Sequence, residues 1–337
     1  MKIGGVDLTK EVLVVAEIGN NHEGDVKLAA EMIVQAARAG AGAVKFQSIV
    51  PEQLVAPQQA ARLAQLQRYR LSPSDDEYLA SVAENNNVLF LSSPFSLGCV
   101  DLLSPLVPAF KIASGDNDYV GLLQRVALTG KPVLLSTGMT NLDQVAFSVG
   151  TLTKAWSDAQ IEDPGLVILH CVSAYPTPAE EANLNAILGL SRFGRIVGYS
   201  DHTLGIEAAV LSVALGARVI EKHFTLSKTL SAFRDHQLSA EPEEFRLLVE
   251  RLKQANRLLG DGEKRVMPSE STTIAVARRS VCAARDLPAG AMLSGDDLIC
   301  LRPAGGLTPG SESRVLGRRL LVPVSAGQQI MTDMIKG

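Results

Sequence analysis

Along the first 260 or so residues, short apolar runs alternate with longer stretches of helical spacing. The runs fall at 12–18, 43–47, 88–93, 109–114, 133–137, 166–171, 196–200 and 218–224, each five to seven residues long. Between them, positions 26–39, 75–85, 141–154, 206–215 and 242–259 carry apolar residues three and four apart, the period of a helix. Fully apolar strands followed by amphipathic helices predict a parallel sheet covered on both faces. Eight such units fit an α/β fold of the closed (β/α)₈ TIM-barrel kind better than an open doubly wound sheet. No G-x-G-x-x-G follows the first run, which weakens the open dinucleotide-binding alternative. Residues 1–262 are therefore assigned to a barrel domain with an N-terminal β-hairpin.

The texture changes near Gly260. Asp261-Gly262-Glu263-Lys264-Arg265 is polar and Pro268-Ser269-Glu270-Ser271 reads as a linker, so 263–278 is taken as a connection. Residues 279–337 are short strands broken by turns such as Pro288-Ala289-Gly290, Pro303-Ala304-Gly305-Gly306 and Ser325-Ala326-Gly327. They predict a small β-rich module whose core is marginal alone, so docking on a barrel or on a partner subunit is expected.

Composition narrows the class. The 337 residues are 46% hydrophobic and 20% charged, an ordinary globular balance that excludes a disordered or collagen-like chain. The net charge is −4 and no basic run occurs, which argues against a nucleic-acid binder. The first ten residues are too polar for a signal peptide and no apolar run approaches membrane-spanning length. Cys99, Cys171, Cys282 and Cys300 show no C-x-x-C spacing, which points to a reducing cytoplasm and away from structural zinc. Cys99 and Cys171 sit in apolar contexts with no activating base assigned, which disfavours cysteine catalysis.

A barrel carries its chemistry where strands end and the following loops begin. The first run ends in Glu17, followed by Asn20-Asn21-His22-Glu23-Gly24. The second carries Lys45 and Gln47, two apart and hence on one face of a strand. Lys111, Ser114 and Asp116 follow from the fourth, and Ser136 and Thr137 from the fifth. The sixth offers His170, Ser173 and Tyr175, the seventh Ser200, Asp201 and His202, and the eighth Glu221, Lys222 and His223. Polar groups at one end of nearly every strand are costly unless paired or used. One strand-end lysine alone reads as solvated or salt-bridged, but two lysines with several serines on one rim point to an anion site, phosphate first. His202 and His223 on neighbouring strands read either as hydrogen-bonded structural residues or as nitrogen ligands of a divalent metal.

Several motifs then occur in a fixed order. They are Glu17-Ile18-Gly19-Asn20-Asn21-His22-Glu23-Gly24, Lys45-Phe46-Gln47, Lys111-Ile112-Ala113-Ser114-Gly115-Asp116 and Ser136-Thr137-Gly138-Met139. Tyr175-Pro176-Thr177-Pro178, Gly198-Tyr199-Ser200-Asp201-His202-Thr203 and Ile220-Glu221-Lys222-His223-Phe224-Thr225 follow. This series resembles the sialic acid synthase family, which joins phosphoenolpyruvate to a mannosamine-type aldose to make nonulosonic acids. Arg278-Arg279-Ser280-Val281, Asp286-Leu287 and Leu301-Arg302-Pro303 resemble that family's C-terminal antifreeze-like (SAF) domain, so the likeness spans essentially the whole chain.

The resemblance implies roles for individual residues. Lys45, Lys111, Ser114, Ser136 and Ser200 match positions that hold the carboxylate and phosphate of phosphoenolpyruvate. His202 and His223 match the ligands of a divalent ion, Mn²⁺ first, with Mg²⁺ or Co²⁺ as alternatives. Glu17, Gln47, Tyr175 and Asp235 match sugar contacts; for the chemistry itself, a carboxylate near the reacting carbons, Asp116 or Glu17, is expected to guide the water or its proton. Arg302 matches an arginine delivered into a partner's barrel, so a domain-swapped homodimer is implied. The implied product is a nine-carbon 2-keto acid plus phosphate, made from an unphosphorylated six-carbon amino-sugar aldose. A 3-deoxy-octulosonate or heptulosonate synthase, which takes phosphorylated aldoses, and a non-catalytic carbohydrate- or surface-binding protein are the other readings.

The chain also departs from the family pattern. Asp116 stands where many relatives carry Glu, and Ser173 where bacterial relatives often carry Asn. Phe233-Arg234-Asp235-His236 replaces Gly-Pro-Asp-His, and Ala304 replaces a glycine after Arg-Pro. These changes bear on which sugar is taken.

Overall fold

The computed structural model describes residues 1–336. By compactness the chain divides into two units, with the break after Gly260.

In the first unit a hairpin of β1 (Lys2–Ile3) and β2 (Val6–Asp7) precedes eight parallel strands. These are β3 (Leu13–Gly19), β4 (Ala43–Ser48), β5 (Leu89–Pro94), β6 (Phe110–Ile112), β7 (Val133–Ser136), β8 (Leu166–Cys171), β9 (Ile196–Asp201) and β10 (Val219–His223). Each falls within a residue or two of an apolar run, except that β6 stops early and the chain turns through a short 3₁₀ helix at Ser114–Asp116. The pairing order is β5-β4-β3-β10-β9-β8-β7-β6, and β5 lies beside β6 to close the ring. The first unit is a TIM barrel.

Local chemistry starts the helices where the pattern predicts them. Asp25 caps Val26–Arg38 by accepting from the amides of Lys27 and Leu28. Ser72 with Asp75, and Asn141 with Gln144, form reciprocal capping boxes at Pro73–Asn85 and Leu142–Asp158. Helices at Ala60–Tyr69, Leu97–Leu103 and Val120–Ala127 escaped the pattern because they are short, and the first buries only Leu66 and Tyr69.

Strand parity divides the barrel into two cores. One set of alternate positions, including Ala16, Val44, Phe46, Phe110, Leu135, Ile168 and Ile220, packs outward against the helices. The other set fills the tube: Leu13, Val15, Ala43, Leu91, Ala109, Leu134, Val167, Leu169 and Val219, joined by Ile3 and Leu8 from the hairpin segment. Continuing the inner set toward the strand ends gives Glu17, Lys45, Lys111, Ser136, Ser200 and Glu221. The tube is thus apolar at its hairpin end and ionic at the other.

One carboxylate is caught in the outer layer. Asp76 accepts from Ser48 Oγ at 3.1 Å while its other oxygen is buried without a partner. Burial pushes its pKa up to about 6, against the Ser48 hydrogen bond and aided by Asp75. A carboxyl raised in the folded state stabilises fully below its unfolded pKa near 3.8 and loses that contribution as pH rises through about 6. Asp76→Asn is therefore expected to raise stability by on the order of 1–3 kcal/mol at pH 7–8 and by nothing near pH 3.5. Melting curves at the two pH values check this, and equal shifts at both would refute it.

In the second unit β11 (Ser280–Ala283) pairs antiparallel with β12 (Leu298–Leu301). Val281, Leu293, Leu307, Val315 and Ile330 are among the residues of its small core. No helix among the described residues is long and apolar enough to cross a membrane.

Candidate active site

The inward positions at the carboxyl ends of the strands meet in a cavity of about 350 Å³. At its floor Lys45 Nζ lies 2.7 Å from Glu17 Oε2 and 3.7 Å from Glu221 Oε2. Lys111 Nζ lies 3.3 Å from Glu221 Oε1, and Ser200 Oγ donates to the same oxygen at 2.7 Å. All four ionic side chains are buried. Burial alone would raise the Glu221 pKa, yet Lys111, Lys45 and the Ser200 hydroxyl hold it below the usual carboxylate range. Glu17 goes the other way: burial, with the charge of Glu221, raises it despite Lys45. Burial opposes the charge on Lys45, but Glu17 and Glu221 raise its pKa. The floor is two buried ammonium groups balanced by two carboxylates of unequal proton affinity.

Hydroxyls line one wall. Ser114 Oγ donates to Ser136 Oγ at 3.1 Å and accepts from the Gly138 amide at 3.0 Å. Ser173 Oγ is buried with no partner. A Cβ at Gly138 would lie 2.3 Å from Ser173 Oγ and 2.7 Å from Ser114 Oγ, so only glycine lets these groups converge. Small donors and backbone N–H beside buried ammonium groups suit an oxyanion.

The opposite wall is aromatic and basic. The His202 and His223 rings are 5.3 Å apart, and Tyr175 lies 4.2 Å from His202 and 6.1 Å, edge-on, from His223. His202 Nδ1 lies 2.8 Å from the Val172 carbonyl oxygen. Nδ1–H donation there leaves Nε2 as the free lone pair. Burial and the charge of His202 pull the His223 pKa well down, and its Nδ1 is buried without a partner. A neutral imidazole with an unused nitrogen beside a second oriented imidazole fits a borderline divalent cation. Among the described residues no group of three His, Cys, Asp or Glu is arranged to hold a metal, so such an ion would take two protein nitrogens and leave its other positions open.

Gln47 joins the floor to the rim: its Nε2 donates to Glu17 Oε1 at 3.1 Å, and its Oε1 accepts from Asn20 at 2.8 Å. Asp235 lines the cavity, beside Arg234, whose guanidinium lies 4.7 Å over the Tyr175 ring. Two residues singled out from the sequence lie elsewhere. Asp116, turned aside by the 3₁₀ helix, does not line the cavity; burial, aided by Asp118, raises its pKa to about 6. Arg302 is exposed in the second unit, next after β12.

Of the lining residues not assigned to the site from the sequence, three bear on its chemistry. Glu221 was read only as strand-end polarity, although its period-2 spacing from His223 is a usable signal. Cys171 has the neighbour it was thought to lack: Sγ lies 3.8 Å from His202 Nδ1, and against burial that contact lowers the thiol pKa to about 7. Arg62 comes from the helix Ala60–Tyr69, which the pattern did not reveal.

A TIM barrel with a buried ionic floor, a hydroxyl wall and paired imidazoles at its carboxyl end defines an enzyme. The chain matches the NeuB family over residues 32–264 and the SAF domain over 278–336, and it belongs to the NeuB family. It is 38% identical to the N,N'-diacetyllegionaminic acid synthase of Legionella pneumophila, over 96% of this chain and 94% of that protein. Its identity to the pseudaminic acid synthase of Campylobacter jejuni is 32%, over 98% of both chains. The crystal structure of the N-acetylneuraminic acid (sialic acid) synthetase of Leptospira borgpetersenii, in complex with citrate, superposes with a TM-score of 0.74 at 35% identity, covering 81% of this chain and 93% of that one. The protein is a transferase similar to the N-acetylneuraminate synthases.

Proposed function

We propose that the enzyme condenses phosphoenolpyruvate with an unphosphorylated mannosamine-type aldose, N-acetylmannosamine or a 2,4-diacetamido hexose. The products are a nine-carbon 2-keto acid and phosphate. The observation that carries this reading is the floor of Lys45 and Lys111 beside the Ser114, Ser136 and Ser173 hydroxyls, an anion cradle buried beneath two imidazoles.

Lys45, Lys111 and Ser200 would hold the donor at the floor, with the serine wall receiving its remaining oxyanions. The donor's C3 attacks the aldehyde carbon, forming the new C–C bond and leaving electron deficiency at C2. Water adds at C2, and C–O cleavage then expels phosphate and leaves the 2-keto group. Buried ammonium groups fixed in advance stabilise the charge on the departing phosphate without reorganisation. Glu17 is the better placed acid/base group, since it faces the cavity and burial raises its proton affinity, whereas Asp116 lies off the wall. Gln47, Tyr175 and Asp235 would orient the aldose. His202 and His223 would hold a divalent ion, Mn²⁺ first, which when bound supplies Lewis-acid polarisation of the aldehyde oxygen. Arg302 is proposed to serve the barrel of a second copy in a homodimer.

Phosphate release tests the reading directly. Release is expected only when phosphoenolpyruvate and a six-carbon amino-sugar aldose are both present, with loss on chelation and recovery on adding Mn²⁺. Release supported by phosphorylated tetroses or pentoses, and not by the amino sugars, would overturn it.

A further inference from the structure

Glu23 takes no part in the chemistry above, yet its carboxylate joins three separate segments. Glu23 itself belongs to the loop after β3. Its Oε1 accepts from Ser231 Oγ, in the loop after β10, and lies 3.3 Å from His236 Nε2, in the short helix Asp235–Leu238 that follows that loop. Its Oε2 lies 3.6 Å from Arg68 Nη2, on the helix Ala60–Tyr69. His236 is fixed at its other nitrogen as well, with Nδ1 2.7 Å from Thr225 Oγ1.

The backbone bears out the tightness of this junction. Glu23 has φ +47°, a left-handed conformation that a glutamate keeps only when its surroundings hold it there. At the next residue, a Cβ on Gly24 would lie 2.0 Å from the Arg68 carbonyl oxygen, so loop and helix meet backbone to backbone. Beside this junction Tyr69 packs edge-on against Phe233 at 5.2 Å.

The junction frames a second chamber beside the charged cavity. Arg62, Tyr69, Phe233 and Arg234 line both. Aromatic faces with guanidinium and hydroxyl groups around them suit a sugar's polyol and acylamino groups, which present apolar C–H faces between polar ones.

We propose that Glu23 is a positioning residue that builds an outer subsite, formed by the helix Ala60–Tyr69 and the 231–235 loop, for the end of the aldose remote from its carbonyl. This rests on the reading that an aldose is the acceptor. Loss of the carboxylate frees the loop, and with it Phe233, Arg234 and Asp235, while the donor floor beneath keeps its own contacts.

Glu23→Asn tests it, because asparagine tolerates the left-handed backbone while its shorter amide cannot span the three partners. The KM for the six-carbon aldose is expected to rise at least about tenfold, the scale of losing a charged hydrogen-bonded group. The KM and calorimetric affinity for phosphoenolpyruvate stay unchanged, and the preference for six-carbon over four-carbon aldoses shrinks by the same factor. Ser231→Ala, a milder change, moves the aldose KM in the same direction and adds nothing to Glu23→Asn. Amide exchange of residues 231–239 speeds up in Glu23→Asn while the barrel strands stay protected. An unchanged aldose KM, equal rises in both KM values, or unaltered exchange would overturn the proposal. Wild-type enzyme releasing no phosphate with any aldose would sink the catalytic reading and the sugar subsite with it, whereas exchange alone decides whether Glu23 holds the loop.

Discussion

Alanine in place of Lys111 is expected to lower kcat/KM for phosphoenolpyruvate by about 10²–10³-fold, the cost of removing one preorganised charge from a water-excluded site. The ammonium group is buried and lies 3.3 Å from Glu221. Without it, Glu221 keeps one cation, Lys45 at 3.7 Å, and the floor loses a positive charge where the donor's anionic end is proposed to sit. Ground-state binding and phosphate departure both suffer, so KM rises and kcat falls together. Lys111→Arg restores the charge, but a planar fork cannot occupy the point a compact ammonium fills, so recovery is partial. Steady-state kinetics with melting curves as a fold control decide the matter. An intact fold with unchanged kcat/KM would remove Lys111 from the donor site.

The other large effect concerns stability. Lys222 and Asp201 are 1% and 0% exposed, with Nζ 2.9 Å from Oδ2. Strand parity puts them on the face opposite to Ser200, His202, Glu221 and His223, outside the tube. Their hydrogen bonds are filled: Lys222 also donates to the Thr203 carbonyl, and Asp201 Oδ1 accepts from the Thr203 amide and hydroxyl at 2.8 Å each. Lys222→Met strands a buried carboxylate and is expected to cost about 3–5 kcal/mol. Removing both charges in Asp201→Asn/Lys222→Met recovers much of that loss, because no bare charge remains. Urea unfolding measures the cycle. A single-mutant loss within about 1 kcal/mol would class the pair with exposed ion pairs instead.

Those two lysines mark how far the sequence alone carries. Period-2 spacing and apolar runs place every barrel strand within a residue or two, because a strand buried on both faces leaves an unbroken hydrophobic signature. The same parity sets Lys222 apart from Glu221 and His223, although the three group together in the sequence as strand-end polarity. What parity cannot supply is distance across the tube. Glu221 meets Lys111 from 110 positions away only because the sheet closes, and no local pattern encodes that closure. Asp116 is a similar case: its motif runs on from Lys111, but β6 ends at Ile112 and the 3₁₀ turn carries the carboxylate off the cavity. The helix Ala60–Tyr69 was missed for a third reason, since with only Leu66 and Tyr69 buried it hardly needs an apolar stripe. Cys171 looked inert beside apolar neighbours because its histidine arrives from the next strand.

The hairpin at the start of the chain has a kinetic corollary. Ile3 and Leu8 stopper the apolar end of the tube, so the cavity has a single mouth. Lys45 and Glu221 lie one strand repeat, about 6.6 Å, deeper than Gln47 and His223. A donor seated on the lysines, as proposed above, would load before the aldose, and the phosphate left there would stay covered until the joined nine-carbon product departs. For that placement a blind-ended tube predicts ordered traffic, donor first in and phosphate last out, without any moving part.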